Sequence, residues 1–386
     1  MRRSSSGWAH DRGPLGGGAA LTAPASVAGK KPEIVSLTGL RAWAALWVVA
    51  HHHRVFVLGE LGEPWWGLLD RGYLGVDLFF TLSGFVLAYN YGSWIRSRAD
   101  TMRFVALRLA RIYPLHVTML LVGVLLSVTS GWTGLRVGSP EAYALDHHFW
   151  LHLFLVHAWG FESSLRFNQP SWSISAEFFA YLCFPLLWAI VARVWRPIGA
   201  ASGALGAAFA VIVVLRLLGY ETMHVPLHHA LVRVTGEFLA GCFVWRLVEL
   251  DDSPDLPARA TSILLAGVGL LALVPAADPW MAVAAPVLVY VLASGSGPAM
   301  RLFTARPAVF LGRISYSIYM THMFVLSGLQ RVLPTWQLGE LGVLPTLGIL
   351  LVHAVAIIGV AAVSYEWLEL PARDALRSRM PIRRIP

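Results

Sequence analysis

SLTGLRAWAALWVVAHHHRVF, residues 36–56, sets nine consecutive apolar residues, Ala42–Ala50, between one arginine and a run of three histidines. Extended to Leu58, the run has the length of a bilayer-crossing helix, which takes roughly 20 predominantly apolar residues. Its apolar residues are contiguous rather than alternating, so it is not a strand of an outer-membrane barrel. Working outward from Leu37–Leu58, the same kind of segment recurs at Tyr73–Tyr91, Ile112–Ser130, Trp172–Val194, Gly199–Leu218, Leu227–Leu247, Ser262–Pro275, Trp280–Ala293, Val309–Leu329 and Leu344–Trp367. The expected fold class is therefore all-α: a polytopic membrane helix bundle of about ten spans, with Phe149–Trp159, too short to cross, as a re-entrant or interfacial piece.

Composition agrees. Hydrophobic residues make up 56% of the chain and charged residues 13%. A soluble domain carries about 25% charged residues, so this chain lacks the charge to coat a surface exposed to water on all sides. The net charge of +8 is not a nucleic-acid signature, because the positive residues sit at segment ends and in the two tails. Cys183 and Cys242 each lie within an apolar segment and offer neither a disulfide framework nor a zinc spacing.

Residues 1–35 are rich in Gly, Ser, Ala and Arg without an apolar centre, and read as a disordered basic tail rather than a signal peptide. Residues 36–373 form the membrane domain and 374–386 a second basic tail. Loop charges give an orientation. Arg2, Arg3, Arg12, Lys30 and Lys31 precede the first segment, and Arg96, Arg98, Arg103, Arg108 and Arg111 follow the second. Arg193 and Arg196, Arg301 and Arg306, and Arg373, Arg377, Arg379, Arg383 and Arg384 mark the same side further on. Both ends come out cytoplasmic, in the inner (plasma) membrane, only if Phe149–Trp159 does not cross. The stretch Arg246–Arg259 fits less well, since it holds Glu249, Asp251, Asp252 and Asp255, but acidic residues weigh little in this rule.

Ionisable side chains inside apolar spans are costly and so mark candidate sites. Arg41 and His52 are eleven residues apart, which on a helix places them on one stripe to within about 20° and about 16 Å apart along the axis. That separation matches a pantetheine arm, with phosphates at Arg41 and a thioester at His52. Asp77, Glu177 and His322 are placed towards the outer side at the depth of His52, and Arg108, Arg111, Arg313 and Glu366 towards the inner side. Cations at the inner mouth suit phosphates, and a histidine with a carboxylate suits general-base chemistry on a hydroxyl. The plain alternative is positive-inside anchoring for Arg108 and Arg111 and interhelical bonding for Asp77 and Glu177. No metal is expected. His51-His52-His53 and the group His147, His148 and His152 lack an HExxH pattern, and Asp146-His147-His148-Phe149 lacks the nucleophilic cysteine of a DHHC enzyme.

At these residues the chain resembles the acyltransferase family 3 membrane enzymes, which O-acylate bacterial polysaccharides, peptidoglycan and secondary metabolites. The likeness runs from Ser36 to about Arg373 through LTGLRAWAALWVVAHH, GYLGVDLFFTLSGFVL, RLARIYP, PSWSISAEFFAYL, LGRISYSIYMTH and SYEWLELP, in that order. It implies an essential histidine at His52, eleven residues after Arg41, and acyl-CoA engagement by Arg108 and Arg111. It further points to Glu177, which follows the Trp-Ser pair that begins at Trp172, and to Asp77 and Ser83 of the GVDLFFTLSGF block. It implies ten spans with both ends inside. The soluble periplasmic domain of some members has no counterpart, so a minimal membrane enzyme is expected.

The expected function is acyl transfer, acetyl or another short acyl group, from acyl-CoA to a hydroxyl of a sugar, polysaccharide or natural product such as a macrolide. Acyl-CoA is the donor substrate and no tightly bound cofactor is expected. His52 would be the base, with Glu177 or Asp77 orienting it; Arg41, Arg108, Arg111 and Arg313 would hold the donor. An acyl-His52 intermediate is a rival route. A transporter with a path of intramembrane charges is a rival function.

Overall fold

The computed structural model describes residues 31–57, 65–133, 145–225, 227–251, 255–274, 277–332 and 343–379. Their regular structure is helical, apart from an isolated bridge between Leu256 and Gly295. In chain order the helices are α1 (Val35–Val57), α2 (Trp65–Asp70), α3 (Gly75–Tyr91), α4 (Arg98–Thr133), α5 (His147–Leu153), α6 (Ser171–Val191), α7 (Pro197–Leu217) and α8 (Ala230–Leu250). They continue with α9 (Ala258–Leu273), α10 (Asp278–Ser294), α11 (Arg301–Thr304), α12 (Arg306–Arg313), α13 (Ser315–Val332), α14 (Val343–Ser364) and α15 (Leu370–Ser378). The bulk of the N-terminal tail (residues 1–30) and residues 380–386 lie outside the described residues. Residues 374–378 of the second expected tail continue α15.

Among the described residues, five runs are long and apolar enough to cross a membrane: Gly67–Tyr91, Arg98–Thr129, Ser171–Val191, Pro197–Leu217 and Leu347–Ser378. The about ten crossings read from the sequence also count helices that fall short. Ala258–Leu273 and Asp278–Ser294 are apolar but short. Helices α1 and α8 have the length, but carry ionisable residues that turn inward, His51 and His53 on α1, Arg233 and Glu237 on α8. The Phe149–Trp159 stretch is broken. It holds the seven-residue α5 and a wide turn at His157–Phe161, with Leu155 and Gly160 at positive φ. Seven helical residues reach about 10 Å against a hydrocarbon core of about 30 Å.

Close helix approach positions the interior. A Cβ on Gly84 of α3 would lie 1.9 Å from the Phe238 carbonyl oxygen of α8, and one on Gly241 of α8 would lie 1.9 Å from that of Thr81. Lipid offers no hydrophobic drive between helices, so small residues that let backbones meet supply the packing instead. At the other face, the start of α1 is clamped by α11 and α12, where Trp43 donates to the Leu302 carbonyl. Helix α13 runs alongside α1 from there, bringing His322 to His52. The 36 residues of α4 measure about 54 Å, well beyond the hydrocarbon core. Arg108 and Arg111 sit inside this continuous helix rather than on a loop.

Candidate active site

A cavity lies among α1, α3, α4, α6 and α13, lined by Arg41, Ser83, Arg108, Arg111, Glu177 and Tyr319 together with aromatic and aliphatic residues. About 70 Å³ of it is open to water, and one water needs roughly 10–15 Å³ of such space, so several waters or a short chain fit. Arg108 donates to the Tyr181 hydroxyl at 3.1 Å and lies over its ring. Arg111 is bonded to Glu369, which is 1% exposed and also accepts from Ser317. No hydrogen bond ties the Arg41 guanidinium to another described residue. Three arginines thus surround one polar cavity, with the hydroxyl-bearing side chains Ser83, Ser173, Tyr181, Ser315, Tyr316 and Tyr319 also in its wall.

Glu177 belongs to this arginine layer, not to the histidine layer where the sequence placed it. It accepts from Ser83 at 2.5 Å and lies beside Tyr181. The reason is the chain before α6. Asn168, buried, donates to the Met320 carbonyl, and Ser173 donates to Tyr319, whose hydroxyl in turn donates to Pro170. Helix α6 therefore starts inside the bundle rather than at its rim, and Glu177 lies one turn deeper than Ser173.

His52 meets His322. Their rings are 5.0 Å apart, with His52 Nδ1 3.2 Å from His322 Nε2. The tautomers follow from the carbonyls. His52 Nδ1 is 3.0 Å from Val48 O, and His322 Nδ1 is 2.7 Å from Tyr319 O. A carbonyl only accepts, so both Nδ1 atoms carry the hydrogen. The single His52 Nδ1–H is then shared between the Val48 carbonyl and His322 Nε2 in a three-centre bond, and His52 Nε2 is the unprotonated ring nitrogen. His322 lies one turn beyond Tyr319, a cavity residue, with rings 6.0 Å apart. The histidine pair therefore stands past the end of the cavity opposite the arginines.

Asp77 is elsewhere. It is 2% exposed and gripped on both oxygens by Arg233 of α8, at 3.1 and 2.6 Å. Glu237, wholly buried one turn further along α8, lies beside this pair with its carboxyl group against that of Asp77. So His52 is partnered by His322, not by Asp77 or Glu177. Arg233 and Glu237 escaped the sequence reading, although an arginine and a glutamate four residues apart within an apolar span are a legible signal.

A family model for an acyltransferase domain matches residues 34–365. The chain belongs to acyltransferase family 3. Acyltransferase MdmB of Streptomyces mycarofaciens is 37% identical over 42% of this chain and 42% of its own length. Peptidoglycan O-acetyltransferase OatA of Listeria monocytogenes is 24% identical over 88% of this chain and 56% of its own. O-acetyltransferase OatA of Staphylococcus aureus is 23% identical over 87% and 57%. The chain thus spans about half the length of the curated relatives it matches. No solved structure matches it.

Two further assignments shift. Arg313 does not line the cavity. It is 55% exposed on its side chain and pairs with Glu33 at 2.9 Å, because it ends the short α12 outside the bundle. Of the two glutamates in SYEWLELP, Glu366 is exposed and Glu369 is the buried partner of Arg111. The wide turn Tyr365–Glu369 changes the helical register there, which a constant 100° step does not anticipate. Trp172 is half-buried, under the Arg233 guanidinium and edge-on to Phe80, so it braces the Asp77–Arg233 pair.

Beyond α6 lies a second histidine cluster. His152 and His157 stack at 3.7 Å, and Glu162 bonds His148 at 2.9 Å and pairs with His152 at 3.3 Å. Burial first, then His152 and His116, holds His157 well below the ordinary imidazole range, so it stacks as a neutral ring. Among the described residues, Asp146, His147 and His148 are the group whose ligand atoms come within 4.8 Å of one another. Asp146 there caps the amide of His148 at 2.9 Å and pairs with Arg166 at 3.6 Å, so its carboxylate already has a structural role.

Proposed function

We propose that the chain is a membrane O-acyltransferase that takes an acyl group, acetyl or another short one, from acyl-CoA and transfers it to a hydroxyl of a carbohydrate or natural product. One observation carries this: Arg41, Arg108 and Arg111, from two helices, converge on one cavity also lined by Tyr319, one turn of α13 before His322, the partner of His52. Family membership supports acyl transfer, and the names of the OatA relatives point to O-acetyl products.

Phosphates of the donor are held at the arginine end by charge-assisted bonds, and the thioester reaches towards His52. His52 Nε2 takes the proton from the acceptor hydroxyl as its oxygen attacks the thioester carbonyl. A C–O bond forms, the C–S bond breaks, and the proton passes from His52 to the departing thiolate. His322 acts by accepting from His52 Nδ1–H, which fixes the tautomer and steadies the imidazolium. Glu177 offsets the arginine charge and holds Ser83 and Tyr181 in the cavity wall.

Incubating the purified chain in detergent with labelled acetyl-CoA tests this. Release of CoA with label on a hydroxyl acceptor is expected. Uptake into vesicles with no CoA released would make the chain a transporter. Within the site, Arg108→Ala is expected to weaken acyl-CoA binding roughly ten- to a hundredfold, with poor rescue by Lys, which lacks the planar fork. Arg313→Ala, on its exposed pair with Glu33, is expected to leave binding unchanged. Calorimetry on both variants decides whether the arginines act as a site or as anchors.

In this reading the protein lies in the plasma membrane with about ten spans and both termini cytoplasmic, and the arginine end faces the cytoplasm. A reporter fused after Arg166 is then expected to read outside and one after Arg196 inside. If both read the same side, α6 does not cross and this topology fails.

A further inference from the structure

The C-terminal helix carries cations towards the cavity mouth. Glu369, buried and bonded to Arg111, immediately precedes α15. Arg373 and Arg377 follow at four and eight residues, so they share the Glu369 face to within about 80° and lie about 6 and 12 Å further along the axis. Since Arg111 is on α4 and α15 packs against α4, with Arg377 near Tyr91 and Arg108, that face looks along α4 towards its N-terminal end. Arg377 is half-buried with its Nε enclosed and without a hydrogen-bond partner, and it lies within electrostatic reach of Tyr91, Arg108 and Arg373. Arg373 reaches Arg111 electrostatically, and among the described residues it pairs with its exposed neighbour Asp374 at 3.5 Å. The run Leu347–Ser378 is 32 residues long, about 48 Å, so α15 extends beyond the hydrocarbon core.

Three guanidinium groups, Arg41, Arg108 and Arg111, line the cavity, and Arg373 and Arg377 stand beyond it on α15, against the carboxylates of Glu177, buried Glu369 and exposed Asp374. Like charges gathered in a poorly screened site repel unless an anion sits among them. We propose that Arg373 and Arg377 form a phosphate subsite at the rim of the arginine cavity, taking the phosphorylated nucleotide end of the donor. This rests on the acyl-CoA reading above. The chemistry recognised is a phosphate group, which a soluble nucleotide or an anionic lipid headgroup could each present.

The full chain in zwitterionic nanodiscs is titrated calorimetrically with CoA and with dephospho-CoA, which lacks the 3′-phosphate. Wild type is expected to favour CoA roughly tenfold or more. Arg373→Gln and Arg377→Gln, each checked as monodisperse, are expected to erase that preference and to leave dephospho-CoA affinity within about twofold. Variants that keep the preference overturn the subsite. A parallel arm uses nanodiscs rich in phosphatidylglycerol. If the variants lose only a lipid-dependent effect, the arginines read headgroups and the nucleotide assignment is overturned. If wild type binds neither compound, the acyl-CoA reading itself fails, and the subsite with it.

Discussion

His52→Ala is expected to lower turnover by about 10²–10⁴, the usual loss for a missing general base, with acyl-CoA affinity nearly unchanged. The two effects separate because the histidine lies about 16 Å along α1 from Arg41. Helix azimuth distinguishes the three neighbouring histidines. His51 turns to the Leu69 carbonyl and the Tyr73 ring, and His53 packs its ring against that of His353. His51→Ala is therefore expected to be milder. His322→Ala is expected to fall between them, since it removes the acceptor of His52 Nδ1–H but not the base. Steady-state kinetics beside CoA calorimetry for the three variants is the measurement. Equal losses at His51 and His52 would mark the run as a packing cluster and remove His52 as the base.

The second large effect is on folding. Arg233→Met is expected to destabilise the protein by about 3–5 kcal/mol, the cost of breaking a buried ion pair from one side. It strands Asp77 and leaves Glu237 beside it, two carboxylates with no cation between them. Asp77→Asn is expected to cost less, because Glu237 still stands beside Arg233. Thermal unfolding in detergent, followed by size-exclusion profile, reads both. If Asp77→Asn instead abolishes turnover at unchanged stability, Asp77 belongs to the reaction, and the assignment of this pair to packing is wrong.

The candidate site was partly legible because some of its geometry is local. Arg41 and His52 lie on one helix, where 100° per residue sets both shared face and separation. Arg108 and Arg111 are one turn apart on α4, and both line the cavity. Legibility failed where backbone departs from that regular step or where a helix begins at an unexpected depth. Glu369 took the inward position that Glu366 was given, because a wide turn intervenes. Glu177 joined the arginines because the segment through Asn168 and Pro170 tucks the start of α6 into the bundle.

Sequence alone determined that this is a helical membrane protein, and which residues bear charge inside its apolar spans. Those properties follow from composition and from periodicity within single helices. Tertiary structure decided which of those charges meet. It paired Asp77 with Arg233, Arg111 with Glu369 and His52 with His322, across 156, 258 and 270 residues of chain. Such meetings depend on the relative depth and rotation of packed helices. These are set by contacts such as the Gly84–Phe238 and Gly241–Thr81 approaches of α3 and α8, which no single segment encodes.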